Sequence, residues 1–134
     1  KFVIGEPSVL KEGKEVVVFA CGVMVGKSLE AAKVLEGQID VKVVNVPTIK
    51  PMNEEAIRKL VEGAKGVVTV EEHNVVGGLG GAIAEVLRKS CKPIEFVGAQ
   101  DHFGCSGHNY AELLEYQGLT VKHIMEAIKK IANL

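Results

Sequence analysis

Three stretches of this 134-residue chain combine residue types able to do chemistry. Glu71-Glu72-His73 sets carboxylates beside an imidazole, a pairing that can transfer protons near neutral pH. Neighbours on a strand end point to opposite sides, so adjacency alone does not join them. The structural alternative is that one of these side chains hydrogen-bonds nearby loop backbone and fixes a turn. The second stretch, Gly77-Gly78-Leu79-Gly80-Gly81, lies where a strand gives way to a helix. There the bare amides of Gly78, Leu79 and Gly80 could hold an anion at the positive helix end. A dinucleotide fingerprint counted from Gly78 needs a small third residue at position 83, which is Ile83, so Rossmann-type binding is not supported. The bland account is that these glycines let the helix start close to its strand, with no ligand.

The third stretch is Gly104-Cys105-Ser106-Gly107-His108. It resembles a nucleophile elbow until the closing glycine is sought and His108 is found, which argues against a serine hydrolase. Ser106 and Gly107 remain a second anion-binding candidate. His102, Cys105 and His108, with Asp101 nearby, offer metal-ligand types in one loop, but without a second conventional ligand pair they read as solvated side chains and no metal site is assigned. No catalytic residue is assigned either. His123, beside Lys122, is expected at the surface.

These residues need elements to position them. Val16 to Ala20 is an unbroken apolar run closed by Gly22, the mark of a parallel strand covered on both faces. From Val25 the apolar positions Val25, Leu29, Ala32 and Leu35 take helical spacing up to Gly37. Val41 to Val46 reads as a second strand, and Ala56, Ile57, Leu60, Val61 and Ala64 as a helix capped by Asn53, with Glu54 and Glu55 at its positive end. Gly66 to Val70 is a third strand, followed by a helix through Leu79, Ile83, Val86 and Leu87 that ends before Pro93. Ile94 to Val97 is a fourth strand, and a polar loop then runs from Gly98 to His108. A short helix around Leu113 and Leu114 follows, and a last one, capped by Thr120, turns Val121, Ile124, Ile128 and Ile131 inward. Strand-helix repeats with short connections predict an α/β fold: an open, mostly parallel sheet of about five strands between helices. Ser8-Val9-Leu10 is expected to supply an antiparallel edge strand. Ligands in such sheets sit beyond the carboxyl ends of the strands, which gathers Gly22, Pro47, Glu71 to His73 and the Asp101-His102 loop at one edge.

Composition narrows the class. Apolar residues make up 47% and charged residues 25%, so a disordered or collagen-like chain is excluded and a single domain over 1–134 accounts for the length. Sixteen basic side chains against 17 acidic ones leave no field to hold nucleic acid or an anionic membrane. No apolar run is long enough to span a bilayer, and the first residues do not form a signal peptide, so a cytoplasmic location is expected. Cys21, Cys91 and Cys105 suit reduced thiols better than a disulfide framework, Cys21 and Cys91 being expected to pack as small hydrophobes. A first residue of lysine suggests a piece of a larger chain.

As an ordered set, the motifs resemble the C-terminal domain of transketolase and its thiamine-diphosphate-dependent relatives. The landmarks are Gly22 before the Glu30-Ala31-Ala32 helix, Val43 to Pro47, Thr48-Ile49-Lys50-Pro51, and Val70-Glu71-Glu72-His73 ahead of Gly77 to Gly80. They are also similar to deoxyxylulose phosphate synthase and to the β subunits of 2-oxoacid dehydrogenases. Asp101 to Gly107, with Leu113-Leu114 and Gly118-Leu119-Thr120, looks most like the end of transketolases, including those encoded as two subunits. The resemblance implies a parent enzyme that moves a two-carbon ketol unit between sugar phosphates, using thiamine diphosphate and a divalent metal, magnesium or calcium. It also implies that N-terminal and middle domains, the partners of this one in a homodimer or two-subunit assembly, hold that cofactor. The chain has no Gly-Asp dipeptide, so the family's Gly-Asp-Gly metal-diphosphate motif has no counterpart here. The family's C-terminal domain supports architecture, dimer contacts and regulation. The chain alone is therefore expected to be inactive, a docking module or a phosphate-metabolite module being the alternatives.

Overall fold

A computed structural model describes residues 2–133. The elements are β1 (Ser8–Lys11), β2 (Val16–Ala20), α1 (Met24–Val34), β3 (Val41–Asn45), α2 (Glu54–Leu60), β4 (Gly66–Asn74), α3 (Leu79–Leu87), β5 (Ile94–Ala99), α4 (Tyr110–Tyr116) and α5 (Val121–Ala132). They form the α/β sheet expected from the sequence, in the order β1-β3-β2-β4-β5. The last four strands are parallel, and β1 runs antiparallel at the edge, Ser8 opposite Asn45.

β2 lies at the centre because both its faces are apolar. Val16, Val18 and Ala20 join the core under α1 and α5, while Val17 and Phe19 join the core under α2 and α3. Each fully buried valine or phenylalanine contributes about 1.5–3 kcal/mol, so the run is specified by burial and not by turn chemistry. α5 repeats the argument at helical spacing: Ile124, Ala127, Ile128, Ile131 and Ala132 are buried, and Lys129 and Lys130 sit at its negative end. Asn53 begins α2 by accepting the Ala56 N–H at 3.0 Å, and its Nδ2 donates to Glu6 Oε1 at 2.7 Å, tying the entering chain to the helix.

The chain goes from β2 to β3 on one side, then crosses β2 to β4 on the other. The carboxyl ends of β2 and β4 therefore adjoin where the strand order reverses, the usual ligand crevice of such sheets. Four expectations need correction. β4 continues past Val70 to Asn74, because its later polar groups find partners. Cys91 is exposed, with φ 54°, in the turn between α3 and β5, where a left-handed backbone leaves no core to pack into. Thr120 starts α5 without capping it: its hydroxyl shares a 2.7 Å hydrogen bond with Nδ1 of His123, which is half-buried and not free on the surface.

Candidate functional site

Strand alternation decides what β4 offers at the crevice. Val67, Thr69, Glu71 and His73 face α3, whereas Val68, Val70 and Glu72 face the α1 and α5 side. Glu71 is only 2% exposed. Its Oε2 accepts the Leu79 N–H at 2.7 Å and its Oε1 accepts the Gly80 N–H at 2.9 Å. A carboxylate in line with the positive end of a nine-residue helix, held by two of its first amides, has the geometry of a bound anion. Here the anion belongs to the chain. Of the sequence's anion-site residues, Leu79 and Gly80 thus donate to Glu71, the outcome in which a side chain of Glu71-Glu72-His73 fixes the turn.

The glycines serve that contact. A Cβ on Gly78 would lie 2.0 Å from Glu71 Oε2, and one on Gly80 would lie 2.2 Å from Phe96 Cδ1 and 2.8 Å from Thr69 Oγ1. Both positions must be bare for α3 to sit this close to β4 and β5. The Thr69 hydroxyl is buried there without a partner among the described residues.

The other candidates are spread outward. His73 is exposed; its Nδ1–H donates to Asn74 O at 2.8 Å and lies 4.0 Å from Glu71 Oε2, so its proton bond goes to backbone. Glu72 points the other way, where its hydrogen bond with Tyr110 pushes that phenol above its ordinary range. Cys21, at the end of β2, is half-buried, and burial first and the Glu71 charge second push its thiol up, which disfavours a thiolate nucleophile. The 101–108 loop is exposed throughout. His102 Nδ1–H donates to Phe103 O at 3.0 Å, Cys105 Sγ accepts from Gln117 Nε2 at 3.8 Å, and the His108 N–H donates to Glu112 Oε2 at 3.1 Å. The His102 and Cys105 side chains take separate partners, the His108 bond is made by its backbone, and no three His, Cys, Asp or Glu groups converge on a metal position among the described residues. Ser106 and Gly107 are exposed in the same loop, Gly107 lying over Leu113. Two contacts lie outside the sequence reading: Asn74 Nδ2 donates to Asp101 Oδ1 at 3.0 Å, which has no local signature, and Asn109 caps α4 by accepting the Glu112 N–H at 3.0 Å, for which an asparagine three residues before an acidic one is the available signal.

A family model described as the transketolase C-terminal domain matches residues 5–124. The chain belongs to this family. It is 42% identical, over 99% of its own length and 42% of the relative's, to the 6-deoxy-6-sulfo-D-fructose transketolase subunit of Clostridium sp. (strain MSTE9). It is 38% identical, over 95% of its length and 21% of the relative's, to the 1-deoxy-D-xylulose-5-phosphate synthase of Caldanaerobacter subterraneus. Among solved structures, a split-gene transketolase described as an inactive β4 tetramer superposes with a TM-score of 0.92 at 42% identity, covering 100% of this chain and 44% of that one. The transketolase of Leishmania mexicana, at 23% identity and a TM-score of 0.74 over 96% of this chain and 18% of that one, shares the fold. This transketolase C-terminal domain therefore spans less than half of the relatives it matches.

Enzymes of this family use thiamine diphosphate. The amides that would meet a diphosphate in the present crevice are those Glu71 holds, and a second anion there would face its buried carboxylate. The residues of this domain do not fit the cofactor.

Proposed function

We propose that this domain is the C-terminal part of a transketolase that moves a two-carbon ketol unit between sugar phosphates, and that it contributes architecture and partner contacts while the reaction centre lies in other domains. The observation that carries this reading is the filled crevice: in this transketolase-family chain the one buried acidic side chain among the described residues is spent on its own helix, which leaves the chemistry to the rest of the parent. Residues 1–134 act as one domain in this reading. Its partners are the N-terminal and middle domains that hold thiamine diphosphate and a divalent metal, in a dimeric or two-subunit enzyme. The split-gene relative, solved as a β4 tetramer, supports an assembly of several subunits. Three free cysteines suit a cytoplasmic enzyme, and no helix of the described residues is long and apolar enough to cross a membrane.

The test is a ketol-transfer assay with a ketose phosphate donor, an aldose phosphate acceptor, thiamine diphosphate and magnesium. The 1–134 chain alone is expected to show no turnover, and the full-length parent with its partner subunit to show it. Turnover by the 1–134 chain, or none by the complete assembly, overturns the proposal. The 38% identity to a deoxyxylulose phosphate synthase supports a second reading, and formation of that product by the same assembly would favour it.

A further inference from the structure

We propose that the outer edge of β5, with the hollow beside it, docks an extended segment of another protein that alternates basic and apolar residues. The inference goes beyond the transketolase reading and concerns a different side of the sheet from the β2–β4 crevice.

The sheet has two outer strands, and they are protected unequally. β1 has four residues, a register break between Val9 and Lys11, and a lysine at its end, features that discourage a further strand. β5 has six residues and pairs with β4 without a break from Ile94 to Val97. The Val67 N–H donates to Pro93 O at 2.9 Å, so in this parallel ladder Glu95 and Val97 bond to β4, while Ile94 and Phe96 turn their N–H and C=O groups outward. Neither finds a backbone partner on that side among the described residues. Outward-facing residues about 6.6 Å apart match the repeat of an added strand. Gly98 O takes Gln100 Nε2 at 3.2 Å, which ends the open stretch.

The side chains on each face define what such a strand would carry. Glu95 and Val97 face α5, where a hollow of about 430 Å3 separates β5 from the turn between α4 and α5. Glu95, Glu115 and Glu126 line it, and Lys130 is the one ammonium among them. Lys130 is paired with Glu95 at 2.7 Å, Glu126 meets Lys122 only at 3.9 Å, and Glu115 has no ion partner among the described residues. Gln117 adds a buried Oε1 that lacks a donor among the described residues, and Tyr116 borders the hollow with a ring on which a guanidinium can stack. Lysine or arginine at the positions of the added strand that share this face supplies the charge and the donors these groups lack. On the opposite face Phe96 is 43% exposed, which suits an apolar residue at the alternate positions.

The test uses the full-length parent subunit assembled with its partner, and a fluorescently labelled capped peptide, acetyl-Val-Arg-Val-Arg-Val-amide. Its binding, read by anisotropy, is expected to be about tenfold tighter than that of the same peptide with glutamate in place of arginine. It is expected to weaken about tenfold when alternate peptide amides are N-methylated. The Phe96 amide is expected to exchange its hydrogen about tenfold more slowly with the peptide bound. Glu115→Gln together with Glu126→Gln, both at exposed positions, is expected to leave melting unchanged and to weaken binding about tenfold. Equal binding of the two peptides, no loss on N-methylation, or no added protection of Phe96 overturns the proposal. A Phe96 amide already protected in the assembly before peptide is added overturns it too, because the parent's own domains then cover the edge. Binding is read without turnover: failure here leaves the ketol-transfer reading standing, and an inactive assembly that binds the peptide leaves the docking edge standing.

Discussion

Glu71→Ala tests whether the crevice is a joint or an empty binding site. The carboxylate makes two charge-assisted bonds, at 2.7 and 2.9 Å, to the first amides of α3. Bonds of this kind contribute about 1.5–3 kcal/mol each, and the helix end adds up to about 1 kcal/mol, against a desolvation cost of several kcal/mol for a carboxylate that is 2% exposed. Alanine removes that cost together with the bonds, but strands two buried N–H groups at about 1–3 kcal/mol each. The expected loss is about 3–4 kcal/mol. Glutamine keeps one acceptor and turns its NH2 toward the other N–H, for a loss of about 2–3 kcal/mol. At this chain length a loss of 3 kcal/mol lowers the melting midpoint by about 10 °C.

Urea unfolding followed by circular dichroism, with the slope compared between variants, measures the effect directly. Formate, a carboxylate small enough for the space vacated in Glu71→Ala, is expected to raise that variant's midpoint and leave the parent protein's unchanged. If Glu71→Ala unfolds within about 0.5 kcal/mol of the parent, the α3 amides are already served by solvent and the account of the crevice fails.

The remaining expectations concern neighbouring contacts. Gly80→Ala puts a methyl where Phe96 Cδ1 stands, and is expected to cost about 1–3 kcal/mol in thermal unfolding, less in a Phe96→Ala background; equal costs in both would show that Phe96 is not what confines the site. Cys21 has its thiol raised by burial and by Glu71, so the folded state holds that proton longer than the unfolded state does. The resulting stability is present below the ordinary thiol range and lost as pH rises through the folded value. Cys21→Ala is expected to flatten the stability profile above about pH 8.5, and an unchanged slope would remove Cys21 as its source. Asn53→Ala gives up both the α2 cap and the tie to Glu6, for about 1 kcal/mol by urea unfolding; no change would mean that solvent caps the helix equally well.

The layers of this fold were legible because periodicity and burial agree. Val16 to Ala20 could only be a covered strand, and α5 has one apolar stripe. The crevice was less legible for the same reason. In a strand buried on both faces nothing polar alternates, so the run from Gly66 to Val70 does not reveal which of Glu71 and Glu72 points at α3. The sequence allowed one of them to tie down the turn, and only the register of β4 selects Glu71. Charged residues look like a boundary in a sequence, which sets the end of β4 at Val70, although Glu71 is buried like the valines before it. Contacts between distant loops, such as Asn74 with Asp101, have no local signature at all.

The substitution of a side chain for a ligand also explains how a doubly wound layout keeps its crevice filled by the chain itself. A carboxylate tethered to β4 is present at the helix end at an effective concentration no free metabolite matches. Its two oxygens meet the two amides a phosphate would use, while Gly78 and Gly80 bring the backbone so near that an added phosphate has no volume left. A competing anion would have to expel a buried charge and then face it. Millimolar phosphate is therefore expected to leave the unfolding midpoint unchanged, and a rise with phosphate concentration would mean that the crevice opens.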